Sequence, residues 1–305
     1  MNKSTIKRWQ ENPWRIVNSL ARRGWLSCLS DKAYISLIYR AAFGKKLNWR
    51  TPKTFNEKLQ WLKIYDRNPV YNMMVDKYEA KKYAADKIEH KYIVPALGGP
   101  WENFDEIDFD NLPEQFVLKT THDCGGVVIC KDKVSFDMLA ARNFIEHHLK
   151  RNYYLSCREW PYKYVKPRIF AEKYLSDVEL GDLRDYKFFC FDGVPKLMFI
   201  ASERQSKDQE TKFDFYDMDF NHLPIINGHP NSENYIACPV NFEKMKELAS
   251  KLSVGVPHLR VDFYESNGNL YLGELTFSHW GGLVPFEPEE WDEIIGSWLK
   301  LPIRD

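Results

Sequence analysis

Apolar residues recur with helical spacing at Leu59, Trp61, Leu62, Ile64 and Tyr65, predicting a helix after Asn56-Glu57 that ends at Asn68-Pro69. The same spacing predicts a second helix over 70–88, with Val75, Tyr78, Ala84, Ala85 and Ile88 inward and lysines outward. The pattern then changes. Tyr92-Ile93-Val94-Pro95 leads to a Gly-Gly-Pro turn at 98–100, and Pro113 precedes a strand at 116–119 that runs into a glycine-containing loop. Further strands are predicted at 126–130, 168–174 and 185–200, the last folded back at Asp192-Gly193, a hairpin dipeptide. The stretch 203–239 is polar and reads as a lid or substrate loop. There is no internal repeat and no low-complexity segment.

One hairpin stands out. Residues 259–264 and 270–277 both alternate apolar and polar, and Glu265-Ser266-Asn267-Gly268-Asn269 lies between them. A two-residue Asn-Gly turn pairs Ser266 with Asn269 and puts Asp262 and Glu274 on opposite faces. A three-residue loop, 266–268, with Gly268 left-handed in a bulge, pairs Arg260 with Glu274 instead. In that register Arg260, Asp262, Glu274 and Thr276 share a face, while Val261, Phe263, Tyr271, Leu275 and Phe277 form a coherent core on the other. The second register is preferred. Two carboxylates and a hydroxyl on one rigid face suit Mg²⁺, a hard ion that takes a few carboxylates, waters and phosphate oxygens. A surface Arg–Glu cross-strand pair is the plainer alternative.

The loop Lys119-Thr120-Thr121-His122-Asp123-Cys124-Gly125-Gly126 has the elements of an anion cradle, namely paired glycines and a lysine at the strand end. It lacks the Gly-Lys-Ser/Thr of a Walker loop, and an ordinary glycine turn has the same composition.

Length and charge narrow the class. At 305 residues the chain is one large catalytic unit or two domains, and 44% hydrophobic with 28% charged residues is a globular balance. Lys and Arg (43) cancel Asp and Glu (43), so no global basic field points to nucleic acid. No run approaches a membrane span, since the best stretch, 34–43, is short and contains Arg40. The six cysteines form no CxxC, which favours free thiols and a cytoplasmic setting. Residues 1–50 carry a balance of +9 against −9 elsewhere, with Trp9, Trp14, Trp25 and Trp49 interleaved. Two readings stay open for them. They are helices packed on the catalytic body, or a basic-aromatic surface giving peripheral contact with anionic lipid or glycan at the inner membrane face.

Several segments in order resemble the ATP-grasp enzymes, most closely the TupA-like branch of bacterial polysaccharide gene clusters. They are residues 52–61, Val75-Asp76-Lys77-Tyr78, 116–126, Ala171-Glu172-Lys173-Tyr174-Leu175, Asp185-Tyr186-Lys187-Phe188-Phe189 and the 258–282 hairpin, and the similarity spans roughly 51–302. The resemblance implies an α/β (α+β) ATP-grasp fold with a helical extension over 1–65 and a catalytic region over 66–305. Nucleotide is then held between 113–175 and 176–300. It implies ATP and Mg²⁺ as cofactors. Lys77 and Lys119 resemble lysines on the ATP phosphates, and Thr121, His122, Gly125 and Gly126 belong to the loop closing over them. Glu172 with Lys173, Tyr174 and Leu175 resembles the strand that reads adenine, and Asp185 stands near a ribose-binding acid. Asp262, Glu274 and Thr276 look like the metal ligands, and Arg260 like the residue that steadies the intermediate, with Lys119 beside it in catalysis. Thr276 stands where many relatives have Asn, and Asp123-Cys124 where a smaller Gly-Ser pair is usual.

The implied activity is a carboxylate–amine ligase working through an acyl phosphate. Its expected partners are a carboxylate-bearing glycan or sugar precursor and an amine or amino acid, in cell-surface polysaccharide synthesis. The rivals are a glycosyltransferase using Asp217-Met218-Asp219 and a non-enzymatic scaffold of an envelope-synthesis complex. Asp-x-Asp is a cheap motif, however, and Asp108-Phe109-Asp110 repeats it.

Overall fold

A computed structural model describes residues 17, 20–21, 24–176, 183–203 and 210–303. Trp9, Trp14, Arg22 and Arg23 of the basic-aromatic segment lie outside the described residues. Among the described residues, the α-helices with defined bounds are α1 (Asp31–Phe43), α2 (Phe55–Tyr65), α3 (Val70–Val75), α4 (Glu79–Ala85), α5 (Met138–Leu149), α6 (Tyr154–Cys157), α7 (Phe242–Ser253) and α8 (Glu290–Trp298). The strands are β1 (Ala96–Trp101), β2 (Phe116–Thr120), β3 (Val127–Cys130), β4 (Ile169–Lys173), β5 (Asp185–Phe191), β6 (Val194–Ser202), β7 (Lys212–Tyr216), β8 (His222–Leu223), β9 (Leu259–Ser266) and β10 (Asn269–Thr276). They form a four-stranded sheet, β1-β4-β2-β3, and a six-stranded sheet, β10-β9-β5-β6-β7-β8. Among the described residues, every pairing between these strands is antiparallel, and one isolated parallel bridge joins Ile93 to Leu272 of β10.

The large sheet is covered on both faces. Phe242, Met245, Leu248 and Leu252 of α7 pack with Phe188, Met198, Ile200, Val261 and Phe263. On the opposite face Phe55 and Leu59 of α2 and Ile295 of α8 pack with Phe189, Phe191, Leu197, Phe199 and Phe215. Double coverage explains why all seven residues of β5 are buried and why their hydrophobic run hardly alternates. Phe55 is fully buried, so truncating it to alanine should cost about 3–5 kcal/mol. Helix α2, assigned from the sequence to the extension over 1–65, packs on the large sheet.

Local chemistry refines three expectations. Helix α2 starts at Phe55 because Thr54 and Glu57 form a reciprocal capping box. The helix expected over 70–88 is broken in two. Asp76 leaves the helix (φ −69°, ψ 113°) and its carboxylate accepts from the amides of Tyr78 (2.9 Å) and Glu79 (3.0 Å), starting α4 afresh. The Gly-Gly-Pro segment is part of β1 and not a bare turn, paired irregularly with β4. Within 203–239, expected as loop, 212–216 is a buried strand. The Asp192-Gly193 hairpin forms as expected, with φ of 46° and 81°.

Candidate functional site

The hairpin reaches the expected shared face by a different route. The turn has two residues, Asn267 (φ 49°) and Gly268 (φ 75°), and Ser266 pairs with Asn269. A bulge at Gly273 then shifts the register, so Glu274 stands opposite Asp262 and Thr276 opposite Arg260. The three-residue loop is thus corrected. Leu272, opposite Phe263, takes the core position expected of Tyr271, which pairs with Tyr264 on the other face.

Arg260 grips Asp262 with two parallel bonds, Nε to Oδ1 and Nη2 to Oδ2, both 2.8 Å. Lys187, directly opposite on β5, donates to the same Asp262 Oδ2 at 2.6 Å and lies 3.3 Å from Asp185. Burial alone pushes the Asp262 carboxyl upward, but Arg260 and Lys187 more than reverse this and hold it below the usual carboxylate range. Thr276 Oγ1 accepts from Arg260 Nη2 at 3.0 Å. Glu274 is more open, with Lys77 Nζ 3.9 Å away. Asp185 is fully buried beside Lys187 and is not on the wall of the cleft described next.

Between the sheets lies a cavity of about 440 Å³. Val117 and Phe170 line it from the small sheet, and Leu272 and Leu275 from the large one, leaving an apolar slot of the kind that takes a flat ring. Lys77, Lys81, Lys119, Glu172 and Glu274 add charge to its wall. Buried Glu172 lies between Lys119 and Lys81, the latter at 3.0 Å. Desolvation works against its charge, yet the two ammonium groups lower its pKa overall. Lys173, Tyr174 and Leu175 continue along the rim. The Lys173 amide donates to Pro95 O at 3.0 Å.

Of the glycine loop, Cys124 and Gly125 reach the cavity, whereas Thr121, His122 and Gly126 do not. Thr121 Oγ1 donates to Lys166 O at 3.2 Å and His122 Nε2 to Arg151 O at 3.1 Å, so both side chains serve the loop's base. Asp123 is an internal tie, its carboxylate taking Thr120 Oγ1 and His148 Nδ1, while Lys77 Nζ bonds its carbonyl. Gly126 is small by necessity, since a Cβ would lie 1.8 Å from Thr120 Oγ1.

Sequence reasoning misses Lys81, which looks like one more outward lysine, and Lys187, although two polar residues two apart in a buried strand were a legible signal. It also misses Glu159. Burial pushes this carboxyl up to about 7, with Lys63 opposing and Glu274 reinforcing the shift. The six cysteines are free, as expected. Asp217 Oδ1 accepts from the amides of Asp219 (2.9 Å) and Asn221 (2.8 Å), which makes Asp-x-Asp a turn cap. Among the described residues no helix is long and apolar enough to cross a membrane, and no group of three His, Cys, Asp or Glu side chains could hold a metal.

Two antiparallel sheets closing on a lysine-lined slot, with paired carboxylates at its end, make this an ATP-grasp fold. The chain belongs to the TupA-like ATP-grasp family, whose model matches residues 57–300. No curated protein sequence matches it. Among solved structures it is similar to D-alanine–D-alanine ligase from Bacillus anthracis complexed with ATP (18% identity, 67% of this chain, 55% of that one, TM-score 0.41). D-Alanine-D-alanine ligase from Helicobacter pylori is comparable (14% identity, 75% and 59%, TM-score 0.41). So is the ATP-grasp ligase PsnB complexed with minimal precursor, Mg and ADP (14% identity, 98% and 75%, TM-score 0.41). The chain spans just over half the length of the two D-alanine ligases.

Proposed function

We propose that the protein is an ATP-dependent carboxylate–amine ligase. The observation that carries this reading is the junction at Lys77, whose Nζ bonds the glycine-loop carbonyl of Asp123 and lies 3.9 Å from Glu274. One cation thus joins the slot to the carboxylate face, where a triphosphate's reacting end meets its second substrate. In this reading the apolar slot takes adenine, Tyr174 and Leu175 offer backbone at its rim, and Lys119 and Lys77 face the phosphates. Asp262 and Glu274 suit Mg²⁺, being two carboxylates paired on adjacent strands; when bound, the ion supplies charge neutralisation at the triphosphate.

A substrate carboxylate oxygen takes the γ-phosphoryl group, releasing ADP; the amine then attacks the acyl carbon, phosphate leaves, and the amine loses a proton. Arg260 offers positive charge where negative charge develops, and a slot walled by both sheets keeps water from the acyl phosphate. We further propose that the acid is a uronic-acid-type glycan, the amine an amino acid, and the setting cell-surface polysaccharide synthesis. Docking through the basic residues 1–50 at the inner membrane face belongs to the same proposal. It predicts liposome binding that weakens steeply as salt rises towards 0.15 M, where the Debye length is about 8 Å.

The test is an ADP- and phosphate-release screen crossing uronic-acid glycans with amino acids. Turnover requiring ATP and both partners is expected. Thermal protection by a nucleotide sugar and not by ATP would instead mark a transferase.

A further inference from the structure

Beyond Asp262 and Thr276, Arg260 has a third partner that the sequence reading does not include. Its Nη1 donates to His279 Nδ1 at 2.8 Å. A guanidinium has no acceptor, so this contact needs a bare lone pair on Nδ1. Asn227 enforces it. Asn227 Nδ2 lies 2.9 Å from Pro285 O and 3.3 Å from Val284 O. Both carbonyls only accept, which fixes the amide orientation and turns Oδ1 toward His279 Nε2, 2.8 Å away. Nε2 must then carry the proton.

The arrangement is buried and braced. Asn227 is 1% and His279 3% exposed. The turn after His279 runs through positive φ at Trp280, Gly281 and Gly282 (50°, 62° and 63°). Gln60 Nε2 clamps it by donating to Gly281 O (3.1 Å) and Gly282 O (2.7 Å), and Lys63 Nζ by donating to Gly281 O (2.6 Å). Burial first, and then the neighbouring Arg260, hold the imidazole well below its ordinary pKa, so it adds no third cation beside Arg260 and Lys187.

We propose that His279, its tautomer set by Asn227, is the positioning residue for Arg260. This rests on the ligase reading in which Arg260 faces the reacting group. The need for such a residue follows from Asp262, whose oxygens already accept from both Arg260 and Lys187. A carboxylate that turns to a divalent cation loosens its hold on a guanidinium. A neutral imidazole does not face that competition, because Arg260 takes its only lone pair. His279 and Thr276 thus keep Arg260 aimed, with one Nη1–H left for substrate.

Nitrogen-15 spectra of the imidazoles in the intact wild-type chain test the first half without any substitution. The expected His279 signal is a neutral ring protonated at Nε2, unchanged by Mg²⁺. A ring protonated at Nδ1, or at both nitrogens, near neutral pH overturns the assignment. Kinetics test the second half. His279→Leu should lower kcat by about 10–100-fold with Mg-ATP affinity retained, and His279→Asn, which keeps an acceptor near Nδ1, should recover most of it. Equal losses in the two variants would defeat the positioning role. If the wild type turns over no acid–amine pair, the ligase reading fails, and the spectra still decide the tautomer.

Discussion

Glu274 faces Asp262 only because Gly273 is one residue too many for its strand. Without the bulge a two-residue turn sets Glu274 against Val261, on the apolar face. The bulge carries a glycine because a Cβ there would lie 2.7 Å from the Tyr264 ring. Deleting Gly273 should therefore abolish Mg-ATP protection and lower the melting temperature sharply, as a carboxylate is driven into the core. Gly273→Ala should be far milder, since Tyr264 is only partly buried and its ring can turn. Thermal melts with and without Mg-ATP distinguish the two.

Among the metal-site variants, Glu274→Gln is the informative one. Asp262→Asn also strips partners from Arg260 and Lys187, so it should lose stability as well as turnover. Glu274 has a side chain 34% exposed and only a 3.9 Å contact with Lys77, so its variant should keep the wild-type melt. Turnover should nevertheless fall by at least about 100-fold. Full activity in this variant would place the metal elsewhere. Thr276→Ala should be milder.

Lys119→Ala should weaken ATP binding but cannot be a silent structural change. It leaves Glu172, buried in the wall, with Lys81 alone. The Glu172 carboxyl is depressed in the folded protein, so its contribution is present above the unfolded pKa and lost as pH falls through the folded value. Lys119→Ala should shrink that contribution, lowering the melting temperature near neutral pH and flattening its acid-side fall. Lys119→Ala with Glu172→Gln should regain stability yet still bind ATP weakly. Restored affinity in the double variant would assign Lys119 to Glu172 and not to phosphate. Lys77→Ala tests the phosphate contact more simply, because it leaves no buried carboxylate without a partner.

Glu159 gives a pH signature of the opposite sign. Its folded pKa, about 7, lies above the unfolded value, so stability is fully present below the unfolded pKa and declines as pH rises through 7. Glu159→Gln should match the wild type near pH 5 and melt higher at pH 8. Parallel melting profiles from pH 5 to 8 would show that Glu159 is not held neutral.

The sequence makes legible what depends on neighbours in the chain and hides what depends on counting. Strand existence at 259–277 follows from alternation, that at 116–119 from a short apolar run after Pro113, and the Asp192-Gly193 turn from its dipeptide. The face shared by Asp262 and Glu274 is correct while the loop assigned to produce it is not, because a bulge and a longer turn give the same parity. Helix 70–88 reads as continuous because its apolar spacing runs on past Asp76, although Asp76-Lys77-Tyr78-Glu79 carries the Asp-x-x-Glu pattern of a helix start. That break is what frees the Lys77 amide to bond Thr121 O at 2.9 Å and turns its side chain into the cleft. His279 and Asn227, 52 residues apart, meet only through tertiary packing and leave no periodic trace.

The double coverage of the large sheet bears on how the chain is made. One covering layer includes Phe55 and Leu59, and its closing residues are Ile295 and Leu299, nearly the whole length away. The small sheet draws only on residues 96–173 and has its own core of Phe116, Leu118, Ile145 and Ile169. On a ribosome the small sheet can close while Leu59 waits for α8, so the helix at 55–65 stays partly uncovered until residues 295–299 are made. Nascent chains stalled near residue 180 should show protease protection at 116–173 and cleavage at 55–65. A chaperone that binds exposed apolar segments should engage the early helix and release it only when the final turn of α8 emerges.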